Sequence, residues 1–200
     1  MSVQKRKDKK IAKRNAFLDA ARRIFSEKGF QATNVTHIVS SVESGQGTFY
    51  YHFKDKQAIF DELMIGFIDQ LIAALSQNQE SDAGRLAFAS RGMSLENARA
   101  IATVFLENRD LADLFFKESR YIGGEGMRRV DQFYALLYSQ IEDGLAQGVS
   151  EGSLRPEIDP KTTARCIVGA SERAVYELLR DAGDADVDTI VEQIVDFQLY

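Results

Sequence analysis

Apolar residues recur along this chain at three- and four-residue intervals, and nowhere at the two-residue interval of a half-buried strand. Between about Lys9 and Lys28, the residues Phe17, Leu18, Ala21, Ile24 and Phe25 fall on one helical face. Gly29 follows, where a helix-ending glycine belongs. A short helix comes next, with Val35, Ile38, Val39 and Val42 inward and either Thr33 or Asn34 as its cap. Glu43, Ser44 and Gly45 form a turn. A third short helix spans Gln46 to about His52, with Phe49 and Phe53 as core contacts. Asp55 caps a long helix from Lys56 to about Gln79, whose stripe runs from Ile59 and Phe60 through Leu63, Met64, Phe67, Ile68, Leu71 and Ile72.

From Gln77 to Ser94 the pattern is interrupted by Ser81, Gly84 and Gly92, which suits a broken helix or a loop. Helices are expected again at about Leu95–Glu107 and Arg109–Tyr121, and Gly123 and Gly124 then break the chain. A long helix from about Glu125 to Gln147 carries Met127, Val130, Phe133, Tyr134, Leu137, Tyr138 and Ile141 on its apolar side. The segment GVSEGSLRPEIDP reads as a loop and holds both prolines. Two further helices, at about Pro160–Asp181 and Asp186–Tyr200, end the chain. The predicted class is all-α, with about nine helices: a small amino-terminal unit of three helices over residues 1–55 and a larger helical unit over 56–200.

Charge changes this picture by dividing the chain. Residues 1–56 hold 12 Lys/Arg against 5 Asp/Glu, a local charge of +7; the rest hold 13 against 25, a local charge of −12. A basic first quarter on an acidic body points to a polyanion as the partner of that quarter, or to a solvated basic tail. The single cysteine, Cys166, and two histidines, His37 and His52, exclude an intrachain disulfide and leave little material for a metal site. No run of apolar residues is long enough to span a bilayer, and the charged start is not a secretory signal, so a cytoplasmic protein is expected. No nucleophile elbow, phosphate loop, zinc-helix motif or dinucleotide motif is present. An enzyme is not expected, nor is a cofactor or metal.

The short helix, turn and short helix at 34–52 carry the sharpest chemistry. Such a pair can place its second helix in the major groove of DNA, with the first bracing it. That second helix, GQGTFYYHF, is rich in hydrogen-bonding groups. Gln46 can contact adenine through two hydrogen bonds, while Thr48, Tyr50 and Lys54 suit phosphate oxygens. The run Lys5, Arg6, Lys7, Lys9 and Lys10 can neutralise further phosphates. Tyr50 and Tyr51 as core aromatics, with Gln46 merely solvated, is the competing structural reading. The candidate DNA-contacting set is Lys5, Arg6, Thr36, Gln46, Gly47, Thr48, Tyr50, Tyr51, His52 and Lys54. A helical protein-interaction or ligand-binding module without specific DNA binding is the alternative.

FLDAARRIFSEKGFQATNVTHIVSSV followed by GQGTFYYHFKDKQAIFDEL, within Asn15–Leu63, resembles the DNA-binding domain of the TetR (tetracycline-repressor-like) family of bacterial regulators. The matching positions are Ala20, Ala21, Phe25, Gly29, Phe30 and Thr33, then Gly47, Thr48, Phe49, Tyr50 and Phe53, with Lys54, Lys56 and Phe60 after them. The turn departs from the pattern. Glu43 stands where the family has glycine, which asks a residue with a side chain to adopt a left-handed backbone, and either Ser44 or Gly45 must cap the next helix.

The resemblance implies a homodimeric repressor released from a near-palindromic operator by a small, largely apolar or amphipathic ligand. The last two helices, with Ile167, Gly169, Ala170, Val175 and Leu178 and then Ile190, Val191 and Ile194, can pair across a two-fold axis or close an intramolecular core. Arg165, Glu172 and Arg173 lie among them and suit interface salt bridges. Phe67, Leu71, Phe105, Phe115 and Tyr121, with Phe133, Tyr134, Leu137, Arg173 and Tyr176, are candidates for lining a ligand cavity; each apolar one equally suits the core.

Overall fold

The computed structural model describes residues 3–77, 91–180, 188 and 191–193. Among them the secondary structure is helical. The helices are α1 (Val3–Ala32), α2 (Val35–Ser41), α3 (Gln46–His52), α4 (Lys56–Gln77), α5 (Arg91–Glu107), α6 (Arg109–Glu118), α7 (Gly124–Ser150) and α8 (Pro160–Arg180), with a 3₁₀ turn at Ser119–Tyr121 between α6 and α7. The interruption expected around 77–94 lies largely outside the described residues. So does most of the last expected helix, including Ile190 and Ile194.

The chain divides into two compact units: residues 1–67 with 110–128, and 68–109 with 129–200. The boundary expected at residue 55 is therefore displaced. Two things draw later segments into the first unit. Phe60, early in α4, packs its ring against Phe25 at 5.3 Å and Phe30 at 4.6 Å. A set of polar contacts then holds 110–128. Arg22 forks onto Asp110, and the guanidinium, outweighing partial burial, keeps that carboxyl below its ordinary range. Gln57 donates to the Tyr121 carbonyl at 2.7 Å, and Gly123 N–H donates to Asp61 at 2.8 Å.

α1 starts earlier than its apolar pattern indicates, because its first turns are cationic yet contain no helix breaker. It breaks at Gly29, whose φ of 78° and ψ of 166° belong to glycine alone. A Cβ there would also lie 2.9 Å from the Glu118 carboxylate. Past the break, Thr33 is buried and donates its hydroxyl to the Gly29 carbonyl, so the cap of α2 falls to Asn34. The Asn34 N–H donates to His37 Nδ1 at 3.2 Å. Lys56 closes the end of α1 by donating to the Phe30 carbonyl at 2.7 Å. Asp55 caps α4 as expected, accepting the Ala58 N–H at 2.8 Å.

The second unit has its own core. Ile141, Leu145, Ala164 and Val168 are buried between α7 and α8, with Tyr134, Leu137, Tyr138, Leu154 and Ile167 packed against them. Asn108, between α5 and α6, is buried and spends its amide on the Val104 carbonyl and on Gln70. Met127, placed on the apolar side of α7 by its spacing, is 38% exposed.

The turn between α2 and α3 keeps a tight geometry without the usual glycine. Glu43 N–H donates to Ser40 O at 3.3 Å and Ser44 N–H to Val39 O at 3.2 Å, the paired bonds of a Schellman end. Glu43 sits at φ 46°, in the left-handed region. That conformation costs a residue with a Cβ about 1 kcal/mol, partly offset in glycine by its greater chain entropy. Glu43→Gly is expected to stabilise the fold by roughly 0.5–1 kcal/mol, and the β-branched Glu43→Val to destabilise it. Urea unfolding midpoints check this; a lower midpoint for the glycine variant would contradict the turn geometry.

Candidate nucleic-acid interface

Helical spacing sorts the aromatic run of α3 into two faces. Phe49 and Phe53 are buried and His52 is half-buried, while Gln46, Gly47, Tyr50, Tyr51 and Lys54 are exposed. Phe49 meets Phe17 of α1 edge to face at 5.5 Å, and Arg14 lies over the Phe53 ring at 5.0 Å. Tyr50 and Tyr51 are 53% and 66% exposed, so neither is a core aromatic. Gly45, not Ser44, is the N-cap of α3, with extended backbone and no side-chain bond. Its carbonyl accepts the Thr48 N–H at 3.0 Å. α3 thus presents Gln46, Gly47 and Tyr50 outward from its first turns, and Thr36 of α2 is exposed as well.

Beside this face lies an open groove. Arg6, Lys7, Lys9, Lys10, Ala12, Lys13 and Ala16 of α1 line one wall; Thr48, Tyr51 and His52 of α3 line the other. Lys10 Nζ sits 4.7 Å from the Tyr51 ring centroid. Lys13 Nζ donates to the Val42 carbonyl at 3.3 Å, closing the end of α2. Lys5 is exposed but stands outside the groove lining. Lys13 is the residue sequence reasoning missed. Its signal was present: Arg6, Lys9, Lys10 and Lys13 follow the i, i+3, i+4, i+7 spacing once α1 is started at Val3. His52 titrates below its ordinary value, first through burial and then through the charges of Lys10 and Arg14.

The other candidate residues do not gather at one place. Phe67 and Leu71 are fully buried on α4, and the Phe67 ring lies 5.9 Å from that of Phe115. Tyr121 stacks on Phe30 at 5.4 Å, which places it in the packing of the first unit rather than with the second-unit candidates. In the second unit Phe105 and Phe133 are buried, and Leu137 packs on the α7–α8 core. The Tyr134 hydroxyl donates to Glu172, and burial together with that carboxylate pushes its ionisation far above the ordinary range. Arg173 is exposed and pairs with Glu177 on its own helix, and Arg165 pairs with Glu142. All three polar residues expected to suit interface bridges thus have partners within the chain. On α8, Gly169 and Ala170 are exposed, whereas Ile167, Val175, Leu178 and Tyr176 are half-buried. Val191 is buried inside the chain.

A family model described as bacterial regulatory proteins, tetR family, matches residues 17–63. A model of the tetracyclin repressor-like C-terminal domain matches residues 95–200. The HTH-type transcriptional repressor KstR2 of Rhodococcus jostii (strain RHA1) is 26% identical over 195 residues, which cover 95% of this chain and 91% of the relative. The regulator FadR of Bacillus subtilis, solved in complex with stearoyl-CoA, aligns with a TM-score of 0.70 at 17% identity, covering 92% of this chain and 96% of that one. AibR, solved in complex with isovaleryl coenzyme A and operator DNA, aligns with a TM-score of 0.69 at 19% identity, covering 92% and 97%. At such identities these two structures establish a shared fold. The amino-terminal match starts at Phe17 and leaves the cationic turns of α1 outside it.

The position of His52 has a consequence for pH. The groups facing it are Lys10 and Arg14 from α1 and Tyr51 on its own helix. In the free protein its depressed ionisation makes acidification mildly unfavourable to folding, because the unfolded chain takes up the proton first. A DNA phosphate beside it would reverse the local repulsion and raise its pKa. DNA affinity is therefore expected to increase between about pH 7.5 and 5.5, by uptake of at most one proton per subunit through this residue. Anisotropy titrations at fixed ionic strength check this against His52→Gln; an equal pH dependence in both proteins would contradict it.

Proposed function

The chain belongs to the tetR family of bacterial regulatory proteins and is a DNA-binding transcriptional regulator, and we propose that it acts as a homodimeric repressor released from a near-palindromic operator by an acyl-CoA thioester. The observation that carries the DNA-reading part is the two-faced α3. Its Phe49 and Phe53 fix it to the core, which leaves Gln46, Gly47, Tyr50, Tyr51 and Lys54 free for a partner. In the major groove, Gln46 reads an adenine edge through two hydrogen bonds, and Thr48, Tyr50 and Lys54 hold phosphates that fix register.

The dimer rests on the outward face of α8. A Cβ at Gly169 would meet nothing within 4 Å, and Cys166 and Ala170 beside it are exposed. These small residues allow a second α8 to approach closely, with Ile167, Val175 and Leu178 contributing apolar area. The ligand class rests on FadR with stearoyl-CoA and AibR with isovaleryl coenzyme A. In this chain the polar end of the apolar second unit is the Tyr134–Glu172 pair, which suits a thioester or amide group. The ligand acts by favouring a dimer state with lower DNA affinity. A coupling of about 1–3 kcal/mol, or 5–150-fold, is the ordinary range for such linkage.

Gln46→Ala is expected to relax preference at one base position per half-site by roughly 1–3 kcal/mol with little change elsewhere. A binding-site selection experiment reads this directly, and an unaltered base preference would refute the assignment of Gln46. Acyl-CoA thioesters of increasing chain length are expected to raise the thermal midpoint and to displace operator DNA, at least one of them at micromolar concentration. No displacement by any chain length would refute the ligand class while leaving DNA binding intact.

A further inference from the structure

The basic groove between α1 and α3 is not required by a recognition helix alone. Five cations of α1 line it, and no carboxylate does. Asp8, the acid among these first turns, is engaged by Gln4 at 2.8 Å and is not in the lining. The opposite wall is Thr48, Tyr51 and His52, a hydroxyl, a phenol and an imidazole, each able to donate to a phosphate oxygen. The cations are held by helix rather than by a loose tail: α1 is continuous from Val3 to its break at Gly29. Arg6, Lys9, Lys10 and Lys13 therefore form one stripe facing α3. Lys13 is fixed by the Val42 carbonyl and Lys10 by the Tyr51 ring, so the stripe is pre-organised on one side of the groove.

We propose that this groove seats a run of the DNA sugar-phosphate backbone, so that the first three turns of α1 form a sequence-blind clamp beside the base-reading face of α3. The proposal rests on the DNA-binding reading of α3 and adds a second contact surface to it. Arg6, Lys9 and Lys10 contribute charge, Tyr51 and Thr48 contribute neutral donors, and His52 completes the wall. The occupant is duplex DNA rather than an acidic protein segment, because the groove opens beside the exposed groups of α3 on the same helix pair.

The test is the salt dependence of operator binding by the full-length protein and by the double variant Arg6→Gln, Lys9→Gln. Both residues are exposed, and circular dichroism confirms that the variant folds. The clamp predicts that the slope of log K against log salt flattens by about 0.9 for each phosphate that is no longer neutralised, summed over both subunits, with base preference unchanged. An unchanged slope overturns the clamp, as does a changed base preference, which would make these residues readers of sequence. Acetylation of lysines in the complex gives a second readout: Lys9 and Lys10 are protected by DNA if the groove is filled, and equal labelling with and without DNA overturns the proposal. Absence of DNA binding by the unaltered protein would instead overturn the reading of α3 beneath it.

Discussion

A seven-residue helix cannot hold itself in water, so the position of α3 depends on the burial of Phe49 against Phe17. Both rings are fully buried. Each contributes about 1.5–3 kcal/mol through area removed from water, and their edge-to-face pairing adds roughly 0.5–1.5 kcal/mol. Phe53, buried one turn later, and Ile38 and Val39 of α2 complete the seat. The outward side chains of α3 inherit their direction from that packing. Tyr50 and Tyr51 can be large, aromatic and exposed because the helix needs nothing from them.

Cations serve this unit in two distinct ways. Lys13 and Lys56 close helix ends by donating to the carbonyls of Val42 and Phe30, and Arg22 ties α1 to Asp110. These groups are spent on structure. Arg6, Lys7 and Lys9 have no such anchoring role, and they line the groove together with Lys10. The local charge of +7 therefore divides into an internal share and an outward share, and only the second is available to a polyanion.

Much of this was legible in the sequence. The 3.6-residue spacing placed α2, α3 and α4 close to their observed bounds, and Asp55 was identifiable as a cap. The left-handed residue at 43 followed from the turn pattern, even though glutamate occupies it. The start of α1 was not legible, because its first turns bury nothing and so leave no apolar period. The true unit boundary was hidden for another reason. Arg22–Asp110, Gln57–Tyr121 and Asp61–Gly123 join residues some sixty to ninety positions apart, and no local pattern reports such pairs. Nor does periodicity distinguish an apolar residue that lines a cavity from one that packs on its neighbours. Phe67 and Tyr121 looked alike in the sequence as candidates, yet one packs with Phe115 and the other with Phe30.

The central claim is that two copies of the exposed face of α3 read DNA together. Selection of genomic fragments by the purified protein, followed by sequencing, tests it most directly. The account predicts an enriched near-palindrome whose half-sites are centred one helical turn, about 34–36 Å, or a multiple of it apart. Fragments enriched without a shared two-fold site, or no enrichment over random DNA at physiological salt, would contradict it.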